Sequence, residues 1–250
     1  MYALITGASS GIGREMAILL ARRGYNLILA ARREERLEEL KNDLIKKYNR
    51  KVLTEPCDLS VTEHCISLFE KYKKYPVTVL INNAGFGKVG SFTDIPLKTD
   101  LAMIKTNITA VHILTKLYAD HMKKGRILNV ASMAAFSPGP VLTTYSATKS
   151  YIFNLSLAVN YELKHNQKNV HITTLCPGPV TTEFNEVAGA NMALYSISAK
   201  RCARIAINGL FRNKDLIIPS LPMKLLHQAM RLTPYRLLLT VEHFIQTKKL

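Results

Sequence analysis

The chain has 250 residues, 48% hydrophobic and 21% charged, proportions that exclude a disordered or fibrous protein and suit one large globular domain. Thirty-four Lys and Arg against 18 Asp and Glu leave a formal charge of +16, which favours an anionic partner without choosing among lipid headgroups, nucleic acid and acidic proteins. Cys57, Cys65, Cys176 and Cys202 are scattered without a C-x-x-C pair, so neither a zinc site nor a disulfide framework is signalled and no metal is expected.

Short runs rich in Val, Ile and Leu alternate with amphipathic stretches, the rhythm of parallel β-α-β units. Strands are predicted at 2–6, 26–30, 52–55, 77–82, 126–131, 170–176 and 216–219. The clearest helix is 34–48, where Leu37, Leu40, Leu44 and Ile45 recur at steps of a helical face. Continuous apolar strands such as Val77-Thr78-Val79-Leu80-Ile81 suit a sheet covered on both sides. The expected fold is a doubly wound parallel sheet of about seven strands, Rossmann-like, with ligands beyond the carboxyl ends of its strands. It spans 1–219, with 220–250 as a helical C-terminal extension of the same domain. The sequence begins in strand-like residues without a charged leader, and no run of about 18 apolar residues occurs. A cytoplasmic protein is expected.

The first strand runs into Thr6-Gly7-Ala8-Ser9-Ser10-Gly11-Ile12-Gly13 and then a helical pattern. In that context Gly7 permits a tight turn, Gly11 lets backbone approach a pyrophosphate, and Gly13 lets the helix pack close to the sheet. The second strand ends in Ala31-Arg32-Arg33, where a site for NAD places an acid against the ribose 2′-hydroxyl. Two guanidinium groups suit a 2′-phosphate instead, so NADP(H) is favoured over NAD(H).

Farther along, Asn82-Asn83-Ala84-Gly85 ends the fourth strand, Ser132 follows the fifth, and Tyr145-Ser146-Ala147-Thr148-Lys149 opens the next helix, with Tyr145 and Lys149 on one face. In a chain with 11 tyrosines that spacing arises readily by chance, and its weight comes from its position after Ser132 and downstream of the glycine turn. A free phenol titrates near pH ~10, and a neighbouring ammonium is expected to lower that value. Tyr145 then acts as acid/base while Ser132 polarises the substrate oxygen. Ser132 lies in Ala131-Ser132-Met133, not in a G-x-S-x-G elbow, which argues against a serine hydrolase.

These motifs together resemble the classical short-chain dehydrogenase/reductase family over about 1–219: its TGxxxGxG turn at 6–13, its NNAG at 82–85 and its Tyr-x-x-x-Lys at 145–149. The resemblance implies a hydride-transfer enzyme with Ser132, Tyr145 and Lys149 catalytic, joined by Asn107 as the anchor of a water relay. It also implies cofactor contacts from Thr6, Gly7, Ser9, Ser10, Gly11, Ile12, Gly13, Arg32, Arg33, Asp58, Asn83, Ala84, Gly85, Tyr145, Lys149, Pro177, Gly178, Val180 and Thr182. Asp58 would contact the adenine side, Val180 and Thr182 the nicotinamide carboxamide, and Lys149 the nicotinamide ribose. Read from the residues alone, Asn107 is a mid-helix polar residue facing water, raised only by its match to the family's position, and Asp58 is equally a helix cap. The non-catalytic alternative is a dinucleotide sensor or scaffold, against which the full Asn107-Ser132-Tyr145-Lys149 set stands.

The chain departs from the family in its last thirty or so residues, which puts a tetramer built through that end in doubt; a homodimer or homotetramer is expected in some form. Ser220-Leu221-Pro222 and Thr233-Pro234 each start a helical pattern. Leu237, Leu238, Val241, Phe244 and Ile245 recur at helical steps, and Lys224, Arg231, Arg236, Lys248 and Lys249 face a single acid, Glu242. An apolar face with a basic rim suits peripheral contact with an anionic membrane; the competing expectation is packing over the active-site mouth or a neighbouring subunit. The expected substrate loops at 133–144 and 184–198 carry Met133, Phe136, Val141, Leu142, Phe184, Met192 and Leu194. Their apolar content points to a lipophilic carbonyl or alcohol, acyl- or steroid-like. No nucleic-acid recognition motif accompanies the charge, so no nucleic acid is expected.

Overall fold

A computed structural model describes residues 1–189 and 196–247. In chain order its elements are β1 (Tyr2–Thr6), α1 (Gly11–Arg22), β2 (Asn26–Ala31), α2 (Glu34–Tyr48), β3 (Val52–Pro56), α3 (Thr62–Tyr72), β4 (Val77–Asn82), α4 (Leu97–Ile104), a π-helical turn (Lys105–Thr109) and α5 (Ala110–His121). Then follow β5 (Lys124–Val130), a 3₁₀ turn (Met133–Phe136), α6 (Thr143–His165), β6 (Asn169–Leu175), β7 (Val180–Thr181), α7 (Phe184–Ala188), β8 (Ile197–Ser198), α8 (Ala199–Phe211), β9 (Leu216–Ile217), α9 (Leu221–Leu232) and α10 (Tyr235–Thr247).

Seven strands form one parallel sheet in the order β3-β2-β1-β4-β5-β6-β9. Successive side chains of a strand point to opposite faces, and both faces here are apolar. Ala3, Ile5, Leu27 and Leu29 pack with residues of α1, α2 and α8 on one side, while Leu4, Ile28, Leu80 and Ile127 pack with α3 and α5 on the other. The charge pattern of α2 follows its dipole: Glu34 and Glu35 occupy the first turn and Lys46 and Lys47 the last, and Asn49 ends it in the left-handed region at φ 51°. Leu37, Leu40 and Leu44 supply its buried stripe, whereas Ile45 is exposed.

The chain leaves β3 at one edge and returns on the far side of β1 to make β4. That reversal opens a crevice between the carboxyl ends of β1 and β4, where the glycine turn and the Asn82-to-Gly85 segment meet. Two differences from the sequence reading stand out. The last sheet strand stops at Ile217, because only two register pairs hold β9 to β6. A two-stranded pairing of β7 with β8 was not foreseen, since runs of two residues carry no periodicity.

The C-terminal segment folds back on the domain. His227 and Met230 of α9 and Leu238 of α10 are buried. Met230 and Leu238 join Met133, Ile152, Cys176 and Ile218 in one cluster. The Phe136 and His227 rings lie 4.0 Å apart, and Ser137 Oγ donates to Glu242 Oε1 at 3.1 Å. The inner face of this tail packs on its own domain, against the 3₁₀ turn and Cys176. Lys248 and Lys249 lie outside the described residues.

Candidate active site

Thr6 fastens the glycine turn to β4. Its hydroxyl donates to Ile81 O at 3.2 Å and accepts from the Asn83 and Ala84 N–H groups at 3.0 and 3.1 Å. Asn83 Nδ2 donates in return to Thr6 O and Gly7 O at 3.1 and 3.2 Å. Glycine is sterically required in this fastening. Gly7 has φ +65°, and a Cβ there would stand 2.9 Å from Ala84 Cα; a Cβ on Gly13 would stand 2.4 Å from Gly7 O. Ser10 caps α1 through backbone only, and no acid occupies the first turn, so the helix's first N–H groups keep their dipole for an anion. Ile12 packs on the core. This cradle fits the pyrophosphate of a dinucleotide.

At the outer end of the crevice Arg32 and Arg33 are both exposed. Arg33 donates to Ser10 Oγ at 2.8 Å, to Ser9 Oγ at 3.3 Å and to Glu183 Oε2 at 2.7 Å. Arg36, which the sequence reading did not single out, holds the other Glu183 oxygen. Asp58 Oδ1 accepts from the Ser60 N–H at 2.9 Å, a turn-capping bond. Burial alone would raise the Asp58 carboxyl, but the Ser60 hydrogen bonds, with Arg32 and His64 nearby, hold it below the usual range. Asp58 therefore serves the turn before α3 and lies on the Arg32 side of the crevice.

The inner end is assembled from β5, the π-helical turn and α6. Ser132 caps the 3₁₀ turn, its Oγ accepting from Ala134 N at 3.1 Å. Tyr145 and Lys149 project from the first turns of α6, with Lys149 Nζ 5.7 Å from the Tyr145 ring centroid. Lys149 is buried and donates to Val130 O at 2.9 Å.

The expectation that this amine lowers the phenol is not met in this structure. Burial pushes Tyr145 up to about 12; a hydrogen bond with Ser132 pulls it back in part, and the nearby Cys176 adds to the rise. Burial likewise brings Lys149 down to about 8. The physical reason is that removing the phenol from water costs the phenolate more than a cation beyond hydrogen-bonding reach restores.

Asn107 is fully buried rather than facing water. The π-helical turn rotates it inward, where Oδ1 accepts from Phe86 N at 3.1 Å and Nδ2 donates to Phe86 O at 2.9 Å and Thr148 Oγ1 at 3.0 Å. Thr148 Oγ1 in turn donates to Tyr145 O at 2.7 Å. Asn107 thus ties the NNAG strand end to the helix that carries Tyr145. A Cβ on Gly85 would stand 2.9 Å from Asn107 Oδ1 and 3.4 Å from Lys149 Nζ, so Gly85 leaves room between them. Asn107→Ala is expected to leave both Phe86 backbone groups and the Thr148 hydroxyl short of a partner, at about 1–3 kcal/mol for each group that water does not reach. A denaturant titration should show that loss, and a midpoint equal to wild type would contradict it.

Pro177 O accepts from Met133 N at 2.9 Å, joining the segments that follow β5 and β6. A Cβ on Gly178 would meet Met223 Sδ at 2.7 Å, so α9 closes on this turn. Val180 is buried in β7, and Thr182 Cγ2 would lie 3.2 Å from a Cβ on Gly11, which sets Thr182 against the glycine turn.

Three further features are not signalled by the sequence. Gly87 lies where a Cβ would touch both Tyr145 and Phe184 at 3.0 Å. Val141, in the loop before α6, sits at φ 68°, a strained conformation for a β-branched residue, and its carbonyl accepts from Gly90 N at 2.9 Å. Asn82, Thr115, Asn129 and Ser156 form a buried hydrogen-bonded chain beneath the site. Met192 and Leu194 lie outside the described residues.

A family model described as short chain dehydrogenase matches residues 1–193. The chain belongs to the short chain dehydrogenase family. It is 34% identical over 195 residues to a very-long-chain 3-oxoacyl-CoA reductase from Phaeosphaeria nodorum, covering 74% of this chain and 57% of that protein. It is 32% identical over 197 residues to human 17-beta-hydroxysteroid dehydrogenase type 3, covering 76% of this chain and 63% of that protein. The matches thus span less than two thirds of those relatives. Among solved structures, a short-chain dehydrogenase from Sphingobium yanoikuyae in complex with NADPH superposes with a TM-score of 0.83 at 28% identity, covering 92% of this chain and 93% of that one. The short chain dehydrogenase fold therefore extends over most of the chain.

Proposed function

We propose that this chain is an NADP(H)-dependent oxidoreductase that reduces a lipophilic ketone, acyl- or steroid-like, with Tyr145 as proton donor. The observation that carries the reading is the gathering of Ser132, Tyr145, Lys149 and Asn107 at the carboxyl ends of β4 and β5, beside a glycine cradle flanked by arginines. A relative named for 3-oxoacyl-CoA reduction, a relative named for a hydroxysteroid and a neighbouring structure holding NADPH support it. So does the apolar wall of Val89, Val141, Leu142 and Ala188 against Tyr145 and Phe184.

The nicotinamide supplies or accepts a hydride when bound, and the rest falls to the chain. Gly7, Gly11, Ile12 and Gly13 hold the pyrophosphate at the N-terminus of α1. Ser9, Ser10, Arg32 and Arg33 take the 2′-phosphate, with Asp58 toward the adenine. Asn83, Ala84, Gly85, Pro177 and Gly178 would complete the cofactor site, with Lys149 toward the nicotinamide ribose and Val180 and Thr182 toward the carboxamide. Ser132 orients and polarises the carbonyl oxygen, and the Tyr145 hydroxyl gives that oxygen its proton. A phenol raised by burial stays protonated at neutral pH, which suits it to donate in the reducing direction. Lys149 and Asn107 set the path by which the phenol is reprotonated.

For the cofactor, Arg32→Ala is expected to weaken NADPH about tenfold or more and NADH little, because each charge-assisted bond to phosphate is worth about 1.5–3 kcal/mol. Equal losses for both nucleotides, measured by fluorescence titration, would remove the 2′-phosphate from this reading.

The outer face of the tail supports peripheral contact with anionic lipid. Leu221 and Leu225 share one line of α9 and Leu237, Val241 and Ile245 one line of α10, all exposed, with exposed Lys224, Arg231 and Arg236 beside them. No helix among the described residues is long and apolar enough to cross a membrane. Leu225→Glu with Leu237→Glu, which leaves buried Met230 and Leu238 intact, is expected to reduce co-sedimentation with phosphatidylserine-containing vesicles severalfold. Undiminished sedimentation would locate the effect of the net charge elsewhere.

A further inference from the structure

Glu183 holds an unusual position. It directly follows the Pro177-to-Thr182 segment and precedes Phe184, whose ring lies 5.5 Å from that of Tyr145. Its carboxylate reaches across the mouth of the crevice, 150 residues back along the chain, to Arg33 at 2.7 Å, and its second oxygen is taken by Arg36. Arg33 simultaneously holds the Ser9 and Ser10 hydroxyls of the glycine turn.

The Glu183 carboxylate is an anion shared by two guanidinium groups, one of which also holds two hydroxyls of the glycine turn, so it engages donors that a phosphate monoester would also seek. The two arginine hydrogen bonds hold Glu183 below the usual carboxylate range, so it is an anion at neutral pH. The residues frame a cleft of about 290 Å³ lined by Ser9, Ser10, Gly11, Arg14, Arg36 and Glu183. Its outer wall also carries Glu39 and Asp43, the latter 3.9 Å from Arg14.

We propose that Glu183 is an internal competitor for the cofactor's 2′-phosphate: it occupies Arg33 and Arg36 until the phosphate displaces it, which makes Glu183 and Arg36 determinants of cofactor affinity and choice. The proposal rests on the NADP(H) reading above and adds to it two residues that the glycine turn and Arg32-Arg33 do not include. Competition sets a definite sign. Removing an anion that merely braces the arginines would loosen the phosphate site, whereas removing a competitor tightens it. Both pairs are solvent-exposed, with side-chain exposures of 40–45%, so the effect is moderate.

The test compares dissociation constants of NADPH and NADH for wild type, Glu183→Gln, Arg36→Ala and Asp43→Asn by fluorescence titration. Glu183→Gln is expected to bind NADPH about three- to tenfold more tightly with NADH unchanged. Arg36→Ala is expected to weaken NADPH alone, and Asp43→Asn, which removes a negative charge from the same cleft without touching Arg33, to give a smaller gain than Glu183→Gln. Unchanged or weaker NADPH binding by Glu183→Gln overturns the proposal and leaves the cofactor reading standing if wild type still prefers NADPH. An equal gain from Asp43→Asn also overturns it, since general electrostatics would then suffice. If wild type binds both nucleotides alike, the cofactor reading and the proposal fall together.

Discussion

Tyr145→Phe is expected to lower NADPH-dependent ketone reduction about a thousandfold while leaving NADPH binding within a factor of two or so, because a positioned general acid contributes about 10²–10⁴ in rate. The substitution isolates one atom. Phenylalanine keeps the ring beside Phe184 and Gly87 and removes only the hydroxyl bonded to Ser132. The raised phenol adds a directional expectation. Reduction needs the protonated form and should be nearly flat around neutral pH, whereas alcohol oxidation needs the phenolate and should climb as the medium becomes alkaline. A Phe variant as fast as wild type on a true substrate would remove Tyr145 from the chemistry. Retained turnover with lost NADPH binding would instead make it a binding residue.

Lys149→Met separates catalysis from stability in opposite directions. Activity is expected to fall about a hundredfold or more, since the amine next to the phenol and Gly85 is lost. Stability at neutral pH is expected to rise, by on the order of 2 kcal/mol, because a buried ammonium is exchanged for an apolar chain of similar length at the loss of one hydrogen bond to Val130. The sign follows from proton counts. Lys149 titrates at about 8 when folded and near 10.5 when unfolded, so between those values the unfolded state binds more protons and wild type gains stability as pH rises. Below about 8 the full penalty of burying the charge is present. The advantage of Lys149→Met should therefore be largest at neutral pH and shrink toward pH 10, below the range in which Tyr145 titrates. Thermal melts of both proteins at the two pH values check this; a variant less stable than wild type by the same amount at both would contradict it.

The sheet was legible because its signals are local and redundant. Alternating side chains of β1, β2 and β4 are apolar on both faces, and that pattern has few other uses. The glycine turn was legible for a steric reason, since positions 7 and 13 admit no Cβ once β4 lies beside them. Tyr145, Lys149 and Ser132 could be placed by where they fall relative to strands and helices.

What could not be read depends on distance in the chain. Asn107 looks like any polar helix residue until a π-helical turn and the approach of Phe86 bury it. Glu183 gains its meaning only from Arg33 and Arg36, about 150 residues away, and no periodicity links them. The electrostatics of Tyr145 depend on how much water is excluded, which spacing along a helix does not encode. The tail's apolar stripe serves a protein core and a lipid surface equally well as a pattern. Met230 and Leu238 turned out to face the core, while Leu225 and Leu237 face outward.

The central claim is that a hydride passes between a nicotinamide and a carbonyl carbon at the Ser132-Tyr145-Lys149 site. Incubating the protein with NADPH deuterated on both faces of nicotinamide C4 and a series of ketones of graded chain length, then analysing the alcohols by mass spectrometry, tests it directly. One deuterium on the carbinol carbon is expected, with yields rising for the longer apolar ketones and the rate of label transfer falling about a thousandfold in Tyr145→Phe. Alcohol formed without deuterium, or label transfer undiminished in that variant, would contradict it.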